Sequence, residues 1–159
     1  MLETDRLLLR AFRESDAVVQ RALWEERDPR VPPHRRIDAE GRPTVADLAE
    51  RIGSHPGLLA IELRSTGEVI GYCGLIPREG SDEPELAYEL LQRFWGHGYA
   101  TEAARAVIGS VTGHRRLWAG VRDWNTASRR VLEKLGFVET GQPVRDDVHG
   151  DSLLTVLEL

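Results

Sequence analysis

The stretch that decides the fold runs from Glu85 to Val111 and reads ELAYELLQRFWGHGYATEAARAVIGSV. Its first part, Glu85 to Leu91, carries the branched and aromatic residues of a strand. A break follows at Trp95-Gly96-His97-Gly98. Beyond it Ala100, Ala103, Ala104, Val107, Ile108 and Val111 repeat at the i, i+3, i+4, i+7 spacing of one buried helical face. Two glycines between strand and helix let the backbone turn sharply and pass close to a ligand. The first N–H groups of the helix, around His97 to Ala100, then face the crook. With the helix dipole they suit a phosphate or pyrophosphate. The stretch reads as an anion cradle.

Glycine spacing alone does not name the phosphate. No Gly-Lys-Ser/Thr follows, so a P-loop nucleotide site has no support, and the G-x-G-x-x-G order of a dinucleotide site is missing too. Arg93-Phe94-Trp95-Gly96-His97-Gly98 instead resembles the acyl-CoA loop of the GCN5-related N-acetyltransferases (GNAT), whose signature is Gln/Arg-x-x-Gly-x-Gly/Ala. The flanking Tyr99-Ala100-Thr101-Glu102 is similar to the branch that includes the ribosomal-protein N-terminal acetyltransferases RimJ and RimL, as is the opening Leu2-Glu3-Thr4-Asp5-Arg6-Leu7. Without the resemblance, the same residues are a glycine-rich turn and an edge strand with polar flanks.

A second informative stretch runs from Asp123 to Phe137. Ala127, Val131, Leu132 and Leu135 share a helical face, and Gly136 is placed to close the helix. Asn125 and Ser128 stand three apart, as a capping pair would. The run N-x-x-S-x-x-x-x-E-K-L-G-F also resembles the second CoA motif of the same branch. That resemblance implies that Asn125 bonds the pantetheine arm and that Ser128 sits near the thioester sulfur.

The rest of the chain fits around these two stretches. Strands are expected at Arg6–Phe12, Leu58–Arg64, Glu68–Ile76, Arg115–Val121, Val138–Arg145 and Ser152–Leu159. A helix capped by Glu14-Ser15-Asp16 should run to about Glu26, and a second from Thr44 to about Ile52. Between them Asp28–Pro43 is rich in Pro and Arg and reads as a long loop. Gly71 and Gly74 inside a strand pattern mark a bulge or a close backbone approach. The resulting order is the one the GNAT fold requires. The fold class is therefore α+β, a GNAT fold: a single mixed, mostly antiparallel sheet of six to seven strands flanked by about four helices. The resemblance implies that the fourth and fifth strands are splayed to admit CoA, and residues 1–159 are expected to form one domain.

Composition narrows the class of partner. The chain of 159 residues has a formal net charge of −5, which argues against a nucleic-acid surface. No apolar run approaches the roughly 20 residues of a membrane span, and the N-terminus lacks a signal-peptide layout. The single cysteine, Cys73, permits no internal disulfide and sits in an apolar strand, where a packed thiol is the natural reading. A cytoplasmic location is expected, with no membrane and no direct nucleic-acid binding.

The resemblance implies acetyl-CoA as acyl donor, no metal, and direct attack by a primary amine on the thioester. The acceptor is a protein N-terminus or a small amine. The oligomeric state stays open, a homodimer included. CoA contacts are expected from Leu90, Leu91, Arg93, Trp95, Gly96, His97, Gly98, Tyr99, Ala100, Thr101, Asn125 and Ser128. A backbone N–H freed by a bulge near Leu90 or Leu91 would hold the oxyanion, as in the family. An aliphatic amine, with a pKa of about 10.4, must lose a proton before it attacks. Glu89 is the first candidate for that base because it lies nearest the splay, and Asp147, in the C-terminal hairpin, is the second. His97 should point at the pyrophosphate. Many family members place a tyrosine acid where this chain has Leu132, which donates no proton, so Ser128 is left to hydrogen-bond the thiolate. A non-catalytic acyl-CoA sensor is the alternative reading, and a phosphate site without CoA is a third.

Overall fold

Leu7, Leu9, Ile61, Ile70 and Leu117 are all fully buried, and their alternation along successive strands puts one sheet at the centre of the molecule. The computed structural model describes residues Met1 to Leu159. The strands are β1 (Leu2–Glu3), β2 (Leu7–Arg10), β3 (Leu58–Leu63), β4 (Val69–Ile76), β5 (Glu85–Leu90), β6 (Arg116–Arg122), β7 (Val138–Glu139) and β8 (Ser152–Glu158). They form a single 8-stranded sheet in the order β1-β2-β3-β4-β5-β6-β8-β7. Every neighbouring pair is antiparallel except β5 and β6, which run parallel and share only the Glu85–Trp118 pair. The extra strand beyond the expected count is β1, where Leu2 and Glu3 pair with Leu9 and Leu8.

Four helices cover the sheet: α1 (Ala17–Glu26), α2 (Val45–Glu50), α3 (Tyr99–Ser110) and α4 (Thr126–Leu135). The main core contains Ala103, Ala104 and Val107 of α3, Leu132 of α4, and Leu86, Leu90 and Leu117 of the sheet. Two adjacent alanines with no exposed surface let α3 lie close to the strands.

Caps explain where two helices begin. Thr44 accepts the Asp47 N–H at 3.1 Å while Asp47 accepts the Thr44 N–H at 2.8 Å, a reciprocal box that starts α2. Asn125 Oδ1 accepts the Ser128 N–H at 3.1 Å and starts α4. At α1 the expected cap is corrected. Glu14–Asp16 form a separate 3₁₀ turn, and the Asp16 carboxylate turns back to Arg10 at 2.8 Å and to the Arg13 N–H at 2.7 Å. A buried guanidinium outbids the helix terminus for that carboxylate.

Two further expectations change. The β4–β5 register runs unbroken from Gly71–Leu90 to Ile76–Glu85, so no bulge sits near Leu90. The irregularity lies one strand over, where β3 and β4 shift register between Ile61 and Glu62. Gly71 marks a close approach to β5, since a Cβ on it would lie 2.1 Å from the Glu89 carbonyl oxygen. At the C-terminal end the expected strand Val138–Arg145 shrinks to Val138–Glu139 plus one isolated bridge, Val144–Ser152. Gly141 and Pro143 interrupt it, and proline offers no N–H to the ladder.

Candidate active site

The cradle is backbone first. Gly96 and Gly98 take positive φ of 78° and 81°, a region that admits glycine without a Cβ penalty. Gly98 precedes α3 without a side-chain cap, and the first bond of the helix runs from the Glu102 N–H to the Gly98 carbonyl at 3.0 Å. The N–H groups from Gly96 to Thr101 donate to no protein acceptor. They form a set of aligned, open donors at the positive end of a helix dipole.

The loop is braced from the N-terminus. Arg6 donates to the His97 carbonyl at 3.0 Å, lies 4.5 Å over the Tyr99 ring, and pairs with Glu102 at 2.6 Å. Thr4 donates to the same carboxylate at 2.6 Å. Burial alone would push Glu102 up, but these partners hold it below the ordinary carboxylate range. Glu102 is thus a structural charge. In this chain the opening residues Thr4 and Arg6 supply that brace.

From the cradle a cavity of about 340 Å³ runs between β5 and α4. Glu89, Leu90, Trp95, Gly96, Gly98, Tyr99, Ala100, Thr101, Asn125 and Ser128 line it, as do Tyr88, Arg130 and Lys134. The last two stand one turn apart on α4 and make no ion pair, leaving two cations free along the groove. Sequence reasoning missed both; the signal that would find them is the i, i+3, i+4, i+7 spacing of Ala127, Arg130, Val131 and Lys134.

Several expected residues do not reach that groove with their side chains. Arg93 turns outward to pair with Glu68. His97 stacks on Tyr99 with ring centroids 5.6 Å apart. Leu91 is buried, and its N–H donates to the Ile70 carbonyl at 2.9 Å. Alternation along this antiparallel ladder turns the Tyr88 and Leu90 N–H groups the other way, toward the gap beside β6. Strand divergence rather than a bulge opens the Leu90 N–H. Asp147 is exposed and lines neither cavity of the site. Its neighbour Asp146 is the engaged carboxylate, taking the His149 N–H at 2.9 Å and His149 Nδ1 at 3.0 Å.

A second cavity, of about 600 Å³, lies on the far side of the same gap. Its walls include Leu23 and Arg27 at the end of α1, Asp28–Val31 and Arg35 from the long loop, Arg122 at the end of β6 and Trp124 just after it. Tyr88, Glu89, Leu90, Trp95, Asn125, Ala127 and Ser128 belong to both cavities. The two spaces therefore meet at the end of β5 and the start of α4. Trp95 helps shape the junction by donating Nε1–H to the Leu90 carbonyl at 2.9 Å.

At the junction Glu89 is clamped by Arg27 at 3.1 Å and accepts the Tyr72 hydroxyl at 3.3 Å. The Tyr88 hydroxyl lies 2.8 Å from Ser128 Oγ. Burial pushes the Tyr88 phenol up to about 12, partly offset by Ser128, so it remains a protonated hydrogen-bonding group at neutral pH. Sequence reasoning missed this contact because the partners are 40 residues apart.

The acetyltransferase (GNAT) domain family matches residues 6–138. YkkB of Bacillus subtilis, an uncharacterized protein, is 39% identical over 80 residues, 47% of this chain and 46% of its own length. The uncharacterized N-acetyltransferase p20 of Bacillus licheniformis is 30% identical over 151 residues, covering 88% of this chain and 83% of that protein. Among solved structures, the ribosomal L7/L12 α-N-protein acetyltransferase RimL in complex with coenzyme A matches with a TM-score of 0.78 at 16% identity, over 98% of this chain and 96% of that one. This last likeness is one of fold. The chain belongs to the GNAT acetyltransferases, and N-acetyl transfer is the class of activity that membership assigns to it.

Proposed function

We propose that this chain, residues 1–159 acting as one domain, is an acetyl-CoA-dependent N-acetyltransferase of the RimJ/RimL-like branch that acetylates a primary amine by direct attack on the thioester. The observation that carries the reading is the meeting of two cavities at Tyr88–Leu90 and Asn125–Ser128. One is lined by open backbone donors and free cations, and the other is walled by the end of α1, the loop residues Asp28–Val31 and Arg122. Gly96 to Thr101 hold the pyrophosphate, with Arg130 and Lys134 as cations along the groove. Acetyl-CoA supplies the activated acetyl group. No helix is long and apolar enough to cross a membrane, and the single thiol, Cys73, is buried; both fit a cytoplasmic protein.

Each step then has a residue. The Leu90 N–H, facing the gap, stabilises charge that develops on the acyl oxygen. Glu89 takes the proton of the amine through water, since Arg27 and Tyr72 occupy much of its acceptor capacity. Ser128, held by Tyr88, hydrogen-bonds the departing thiolate. With a thiol pKa of about 8.5, that thiolate takes its proton from solvent. No covalent enzyme intermediate is needed.

Asn125 carries two duties in this account. Its oxygen is used by the helix cap, which leaves the amide NH₂ free toward the groove. Asn125→Ala should therefore weaken CoA more than its 3′,5′-ADP fragment, by about tenfold in Kd ratio. Calorimetric titration of both ligands checks this, and an equal loss for the two reduces Asn125 to a cap. Glu89→Gln should lower kcat by on the order of 10²-fold with CoA affinity retained. An unchanged pH–rate profile in that variant removes Glu89 from proton transfer.

A further inference from the structure

The cavity on the acceptor side carries four arginines, Arg27, Arg30, Arg35 and Arg122. Three of them are matched. Arg27 holds Glu89 at 3.1 Å, Arg30 holds Asp28 at 2.9 Å, and Arg122 reaches Asp146 at 3.5 Å and the Gly150 carbonyl at 2.9 Å. The guanidinium of Arg35 has no carboxylate within ion-pair distance and donates to no acceptor. Only its backbone is tied, where its carbonyl accepts Arg27 Nη1–H at 2.9 Å. That bond anchors the 3₁₀ turn Pro33–Arg35 to the arginine that clamps Glu89. Of the carboxylates facing the same space, Glu89 and Asp28 are paired with those arginines, while Glu26 accepts only the Gln92 N–H at 2.7 Å.

We infer that the acceptor is a small amine that also bears an anionic group, a carboxylate or a phosphoryl, which Arg35 binds while the amine turns toward Glu89. The inference rests on the acetyltransferase reading of the site and narrows it to a substrate class. A guanidinium offers a planar fork of donors that matches either anion with two hydrogen bonds. A polyamine would instead leave Arg35 unmatched and bring a second cation beside it, with only the unpaired Glu26 to offset the contact. The net charge of −5 favours cations over the molecule as a whole, but at this cavity the unmatched guanidinium of Arg35 offers an anion a local partner.

The test is equilibrium titration of the CoA-loaded protein with four amines of similar length. They are 4-aminobutanoate, 3-aminopropylphosphonate, the neutral 4-aminobutanamide and 1,4-diaminobutane. At least one anionic amine should bind about tenfold more tightly than the amide and the diamine, and whichever does so identifies the anion. Arg35→Ala should erase the preference and leave CoA affinity unchanged. Equal or tighter binding of the amide or the diamine, binding by none of the four, or a preference that survives Arg35→Ala overturns the inference. CoA affinity is measured first. If CoA does not bind, the acetyltransferase reading fails by itself, and the same titrations on the free protein still decide the role of Arg35.

Discussion

Gly98→Val is expected to weaken CoA binding by about a hundredfold, or roughly 2.7 kcal/mol, in a protein that still folds. The residue sits at φ 81° and ψ 7°, where a β-branched side chain costs on the order of 1–3 kcal/mol. The neighbourhood leaves room for a Cβ, whose nearest atom would be Arg6 Nη2 at 3.5 Å, an ordinary contact. The strain is relieved by rotating the backbone toward negative φ, and that rotation carries the adjacent peptide with it. The N–H groups that converge on the cradle are then re-aimed, and the isopropyl group fills the space the pyrophosphate needs. Calorimetric CoA titration together with thermal unfolding checks both halves. A folded variant with wild-type CoA affinity contradicts the cradle.

The second large effect concerns the fold. Arg10 and Asp16 have side chains only 8% and 5% exposed, and Arg10 also holds Glu62 at 2.8 Å. One guanidinium therefore serves two carboxylates and ties β2 to β3 and to the turn before α1. Arg10→Ala removes the cation and leaves both acids behind, which should cost about 3–5 kcal/mol, or roughly 10 °C in Tm. The pH dependence gives the effect a signature. Burial would raise Asp16, yet Arg10 and the Arg13 N–H hold its carboxyl below the ordinary range. Its contribution in the wild-type protein is thus present above the unfolded pKa of about 3.9 and lost as pH falls through the lower folded value. Without Arg10 burial dominates, the folded value rises, and acidification relieves the variant. Denaturant unfolding at pH 7 and at pH 4 should show the deficit narrowing at pH 4. A deficit under about 1 kcal/mol, or one that does not change with pH, contradicts this account.

The parts of the molecule that sequence reading reached are those with local causes. A strand, two glycines and an apolar helical face lie consecutively from Glu85 to Val111, so the turn at Gly96–Gly98 and its open N–H groups follow from neighbours alone. Asn125 and Ser128 are three residues apart, and their cap is equally local. The order of the elements along the chain follows from the same kind of local signal, and the family resemblance supplies the mixed sheet they build. What escaped depends on partners distant in sequence. Tyr88 meets Ser128 across the gap, and Arg6 meets Glu102 across 96 residues, and neither spacing has a period to detect. Arg93 shows the limit of a motif: its side chain is drawn outward by Glu68, which no local pattern announces. Asp147 is a candidate because its hairpin borders the acceptor pocket in the family; here it lines neither cavity, and Asp146 collects the hydrogen bonds of the turn.

The most direct measurement is thiol release from acetyl-CoA across a panel of amines and N-terminal peptides, with CoA binding followed alongside. The account predicts that CoA binds and that thiol appears only when an acceptor amine is present, in proportion to the amine acetylated. CoA binding with no release for any amine would contradict the transferase reading in favour of an acyl-CoA sensor, and no CoA binding would contradict the site itself.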